Sequence, residues 1–125
     1  MDAYYIVNDP NDPIAVKATE IRKQEYLFWR EVKPDLEDDF DISCHTLSAR
    51  TGLSERRTRD ITMALYRLAE LPLTKALQET YYFLDFSRLI TIDAVLSKLG
   101  DIPTEILERI DQELARYVSW ARRCV

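Results

Sequence analysis

Apolar positions along the chain recur mostly every three or four residues, the spacing of one face of an α-helix. From Asp12 onward, Ile14, Ala18, Ile21, Phe28 and Val32 keep that spacing, broken only at Glu25, while Tyr26, Leu27 and Trp29 widen the apolar surface. This predicts an N-terminal helix over 12–33, with Asp12 as its cap and Pro13 in its first helical position. So broad an apolar surface suggests a helix gripped on two sides, by its own core and by a partner. The pattern lapses over KPDLEDDFDIS, where five acids fall among the seven residues Asp35 to Asp41. Residues 34–42 are read as a solvated acidic loop. A calcium loop would need another ligand order and a glycine at its sharp turn.

Helical patterning resumes over 43–120. Ser43 is read as the cap of a short helix ending at Thr51, and Gly52 as the left-handed residue that closes it. Ser54 then caps a longer helix that runs to about Leu71, before Pro72. The segment 43–71 thus has the outline of a helix-turn-helix. A short helix starts at Pro72, and TYYFL (80–84) is read as an extended link. Asp85 caps a helix over 86–99, with Leu84 and Leu89 placed for a hydrophobic staple and Phe86, Leu89, Ile90, Val95, Leu96 and Leu99 as its apolar face. Gly100 ends it. The last helix starts at Pro103 and carries Ile106, Leu107, Ile110, Leu114, Tyr117 and Val118. The expected fold class is all-α, a compact bundle of five to six helices in a single domain over 1–125.

Composition agrees with that pattern. The chain has only two glycines, too few for a turn-rich sheet or a phosphate-cradling loop. The net charge of −5 is unevenly placed: residues 1–41 hold eleven acids and five bases, the remainder eleven acids and twelve bases. Cys44 and Cys124 form neither a disulfide framework nor a metal spacing, and read as thiols in a reducing cytosol. The first residues lack the apolar stretch of a signal peptide, and no apolar run is long enough for a membrane span. The expected location is cytoplasmic, with no membrane partner.

No catalytic set can be assembled. The single histidine, His45, stands beside Cys44 without the further ligands a zinc site needs. Asp38 and Asp39 lack an apolar surround to tune them as an acid pair. The expectation is no catalytic residue, no metal and no cofactor. The positive constellation is basic: Arg50, Arg56, Arg57 and Arg59 fall within the eleven residues 50–60. On a helical wheel, Ile61, Leu65 and Leu68 form a core side flanked by Thr58 and Ala64. Arg56, Arg59, Met63, Tyr66 and Arg67 lie opposite, with Arg57 at the edge. A recognition helix needs this division, and arginine suits both phosphates and guanine edges. The competing reading pairs Glu55 with Arg59 and Arg56 with Asp60 on a wet surface.

TGLSERRTRDITMALYRLAELPLTKALQE, then LDFSRLITIDAVL, then DIPTEILERIDQEL, resembles an actinobacterial family described as domain of unknown function 222, which includes the 13E12 repeat proteins. The resemblance spans about residues 46–120: an Arg-rich helix after a helix-turn-helix-like turn, a Leu71-Pro72 stop with a small helix, a capped helix after Leu84-Asp85, and a proline-started helix from Pro103. The family usually has a glycine-containing turn before the capped helix, where this chain has Thr80-Tyr81-Tyr82-Phe83. The resemblance implies a domain that precedes an HNH endonuclease module. That module needs histidines and a ββα pattern that these residues lack, so the expectation is either a stand-alone relative or, if the sequence is a piece of a longer chain, a nuclease beyond Val125.

Two functions are therefore expected of different kinds. One is a non-catalytic helical domain that positions double-stranded DNA through Arg50, Arg56, Arg57 and Arg59. The other is a protein–protein module, in one form a homodimer, using the aromatic N-terminal helix and the Met63–Tyr66 patch.

Overall fold

The computed structural model describes residues 11–32 and 40–123, and side chains within 11–32 and 44–117. Every regular element among these residues is a helix: α1 (Pro13–Val32), α2 (Phe40–Thr51), α3 (Glu55–Ala69), α4 (Pro72–Tyr81), α5 (Phe86–Ser97) and α6 (Thr104–Arg123). The fold is an all-α bundle, as the periodicity predicts. None of these helices is long and apolar enough to cross a membrane.

α3 is the hub, packing against α1, α2, α4 and α5. Its inward side carries Ile61, Ala64, Leu65 and Leu68, all buried. Fully burying each of the large side chains among them contributes about 1.5–3 kcal/mol. Thr58 and Thr62 are buried on the same side. Their hydroxyls donate to the carbonyls of Ser54 and Thr58 at 3.0 and 2.8 Å, so no polar group is stranded. Around α3 close Tyr26 and Trp29 of α1, Leu47 of α2, Phe83 and Leu84 of the α4–α5 link, and Phe86 and Leu89 of α5. Arg67 ties α3 to α5 through Asp93 at 3.1 Å and also reaches Glu70 at 2.9 Å.

The caps at Ser54 and Asp85 form as predicted: Ser54 accepts from Arg57 N–H, and Asp85 from Arg88 N–H. α4 solves its start differently. Leu71 in the cap position has no side-chain hydrogen bond to offer, and Pro72 has no N–H to satisfy. The next two amides, of Leu73 and Thr74, donate to Asp111 of α6 at 2.9 and 2.8 Å. The Thr74 hydroxyl donates to the same carboxylate at 2.7 Å, and Lys75 N–H reaches the Leu71 carbonyl at 2.8 Å. The first turn is thus capped from another helix, and Asp111 is buried in doing so.

Tyr82 ends α4 with φ of +50°, the left-handed conformation glycine usually supplies. This falls within TYYFL, the segment read from the sequence as an extended link. Contacts hold it there. The Tyr82 ring meets Tyr26 edge-on at 6.1 Å, and Arg22 Nε donates to the Tyr82 carbonyl at 2.9 Å. Burial pulls the Arg22 pKa below its ordinary value, against the opposite pull of Asp85. Gln78, fully buried, donates to the Leu84 carbonyl and accepts from the Leu84 amide, both at 2.9 Å.

Several expectations need correction. Residues 40–42 belong to α2, so the helix starts within the acidic stretch and Ser43 lies inside it rather than at its cap; residues 34–39 of the expected loop, and Lys33 at the expected end of the first helix, lie outside the described residues. α4 continues through Tyr81, further than its predicted end. Val95 and Leu99, expected on the apolar face, are exposed: Leu99 lies past the end of α5 at Ser97, and the helix buries Phe86, Leu89 and Leu96 instead. On α1 most of the periodic row faces outward: Ile14, Ile21 and Phe28 are 78%, 67% and 46% exposed, while Val32 packs half-buried against the core. Tyr26 and Trp29 supply the buried side. Their rings offer more area, and the Tyr26 hydroxyl donates to Glu79 of α4 at 3.0 Å.

Candidate nucleic-acid interface

α2 and α3 are joined through a glycine turn. Gly52 has φ of +78°, and its N–H closes α2 by donating to the Ser48 carbonyl at 3.0 Å. Two hydroxyls hold the turn: Ser48 Oγ donates to the Leu53 carbonyl at 2.6 Å, and Thr51 Oγ1 to the Leu47 carbonyl at 2.6 Å. Ser54 then starts α3 in extended conformation. The pair is fixed by its own backbone chemistry, with Leu47 and Cys44 buried beneath it.

The turn leaves the first part of α3 on the surface. Arg50, Arg56 and Arg59 are exposed, and Arg57 is half-buried at the edge of the core side. Arg56, Arg59 and Met63 share the outward face, three and four residues apart. Arg50 stands at the end of α2, where the turn begins. Among the described residues Arg50, Arg56 and Arg57 form no ion pair. Glu55 is engaged by His45 across the turn. Both members of that pair are well exposed, so it adds little stability. What it does is hold a carboxylate of α3 against α2.

Two residues expected on this face are turned elsewhere. Tyr66 is half-buried, and Arg67 is drawn to α5 by Asp93, with Ser97 Oγ a further 3.5 Å contact. The cause is long range: Asp93 lies twenty-six residues away and is invisible to a helical wheel. The His45–Glu55 contact was equally unreadable, since it joins two helices across ten residues. Both partners are polar residues near the helix pair, but nothing in their spacing selects them.

Among the described residues no group of three or more His, Cys, Asp or Glu side chains is placed to hold a metal. The arrangement at the start of α3 offers cationic, multiply donating guanidinium groups on a fixed helix end, which suits an anionic surface. Compared with family models, curated proteins and solved structures, the chain finds no match.

Proposed function

We propose that this is a non-catalytic helical domain that positions double-stranded DNA through the start of α3, related to the region preceding HNH-type endonuclease modules. The observation that carries the reading is the outward face of α3, where Arg56 and Arg59 stand together, Arg56 forms no ion pair among the described residues, and the neighbouring Glu55 is engaged by His45. Arg50 at the adjoining turn and Arg57 at the rim would widen the contact to neighbouring phosphates. Guanidinium groups bind phosphate oxygens in pairs, and helix starts favour anions. The net charge of −5 opposes association, but the excess acid lies in residues 1–41, away in sequence from this face.

Binding of the full chain to a mixed-sequence duplex, followed by fluorescence anisotropy against salt, tests this. The logarithm of affinity should fall linearly with the logarithm of salt concentration, with a slope of about −0.9 per phosphate contact. Replacing Arg56 and Arg59 together by alanine should flatten that slope by about two. No binding at low salt, or an unchanged slope in the double variant, refutes the reading.

A further inference from the structure

The outward face of α3 is not a purely cationic platform. Arg56, Asp60 and Met63 follow one another on it at steps of four and three residues, so a carboxylate and a thioether stand beside the arginine. Met63 is 43% exposed and Asp60 half-buried. Arg56 precedes Asp60 by four residues, the weaker order for a helical ion pair, and the two do not pair. Neither side chain has another ion pair or hydrogen bond among the described residues. Asp93 on α5 behaves differently, since it takes Arg67 at 3.1 Å.

That mixture separates two ways of meeting a duplex. Phosphates are all negative: they gain from each arginine, lose at a carboxylate set among them, and gain nothing from a methionine. Base edges in the major groove present acceptors, donors and methyl groups in turn. Arginine matches guanine O6 and N7, aspartate accepts from cytosine N4, and an apolar side chain meets the thymine methyl. From Arg56 to Met63 the helix rises about 10 Å, the length of about three base-pair steps. Past Met63 the face changes, because Tyr66 is half-buried and Arg67 is held by Asp93. We infer that the first half of α3 reads sequence in the major groove, with Arg56 on a guanine, Asp60 on the amino group of a nearby cytosine and Met63 on a thymine methyl. The inference rests on the DNA reading and adds to it the kind of duplex preferred. Arg50 and Arg57 then serve as phosphate contacts that fix the register.

Selection of bound duplexes from a random library by the full chain, followed by fluorescence anisotropy at fixed salt, tests it, with circular dichroism confirming that each variant is helical. The selected duplex should bind at least about tenfold tighter than a scrambled duplex of the same composition. Replacing its thymines by uracil one at a time removes single methyl groups. One such replacement should weaken the native chain about fourfold and leave Met63→Ala unaffected. Asp60→Ala should tighten binding to the scrambled duplex, where the carboxylate only repels, and weaken binding to the selected one. The ratio of the two affinities should therefore fall at least about fivefold. No binding to any duplex removes the DNA reading and this inference together. Equal affinity for all duplexes leaves that reading standing and overturns the inference alone. So does an Asp60→Ala chain that keeps the native ratio, or a set of uracil replacements that the native chain and Met63→Ala feel alike.

Discussion

Replacing Asp111 by alanine should detach α6 before it unfolds the rest of the chain. The carboxylate accepts from two consecutive amides of α4 and from the Thr74 hydroxyl, at 2.7–2.9 Å, and is only 3% exposed. Hydrogen bonds to a charged group contribute about 1.5–3 kcal/mol each, but the three losses are not equal. The Leu73 amide is only part-buried and regains water. The Thr74 hydroxyl can turn to the Asp111 carbonyl, already 3.4 Å away. The Thr74 amide is buried and has no substitute, so it bears the full penalty of an unmade bond, about 1–3 kcal/mol. Loss of a carboxylate at a helix start adds about 0.3–1 kcal/mol. Relief from burying that charge offsets part of the sum, leaving a net cost of about 2 kcal/mol. Asp111→Asn should cost about half as much, because it keeps one acceptor for Thr74 but turns an amide toward Leu73. Urea denaturation gives the total. Hydrogen exchange gives the location: because the principal neighbour of α6 is α4, protection should fall first in residues 104–117 and persist in α3 and α5. A loss below about 0.5 kcal/mol for the alanine variant, or exchange that rises equally in α3 and α6, would refute the capping argument.

Two further predictions concern the joint between α1 and α4. Because Tyr82 is left-handed, Tyr82→Gly should be more stable than Tyr82→Ala by about 1 kcal/mol, the reverse of the order inside a helix; equal urea midpoints would show that the conformation carries no strain. Tyr26→Phe removes the bond to Glu79 and should cost about 1–3 kcal/mol at neutral pH by thermal denaturation. Burial first, and the charge of Glu79 second, raise the Tyr26 phenol above its ordinary pKa, so above about pH 10 the unfolded chain loses its proton before the folded one. Native stability should therefore fall as pH rises past that point, and the phenylalanine variant should lack this component; parallel pH profiles for the two proteins would contradict it.

The helices and their caps were legible because their causes are local. Ser54, Asp85 and Gly52 act on residues within one turn, and the inward side of α3 follows from 3.6-residue periodicity. The choice between two apolar sides was not legible. On α1 the regular row Ile14, Ile21 and Phe28 faces outward, while Tyr26 and Trp29 go in, because burial was decided by ring area and by a glutamate fifty-three residues away. α6 repeats the case, with Ile106 and Tyr117 left outside while a carboxylate, Asp111, goes in to cap α4. At the candidate interface, the outward placement of Arg56 and Arg59 could be read from a wheel. The removal of Arg67 toward Asp93 and the engagement of Glu55 by His45 could not, since each depends on how two helices meet.

The link after α4 has a consequence beyond its own turn. TYYFL is a strand-like run, aromatic and uncharged, the composition that recruits other chains edge to edge when its backbone is open. Here the backbone on either side of Phe83 is spoken for. The Tyr82 amide goes to Gln78 and its carbonyl to Arg22, while one side-chain amide, that of Gln78, meets both polar groups of Leu84 as a neighbouring strand would. Gln78 and Arg22 thus serve as a surrogate edge. They let an aggregation-prone sequence contribute Phe83 and Leu84 to the core while closing the template that those residues would otherwise present.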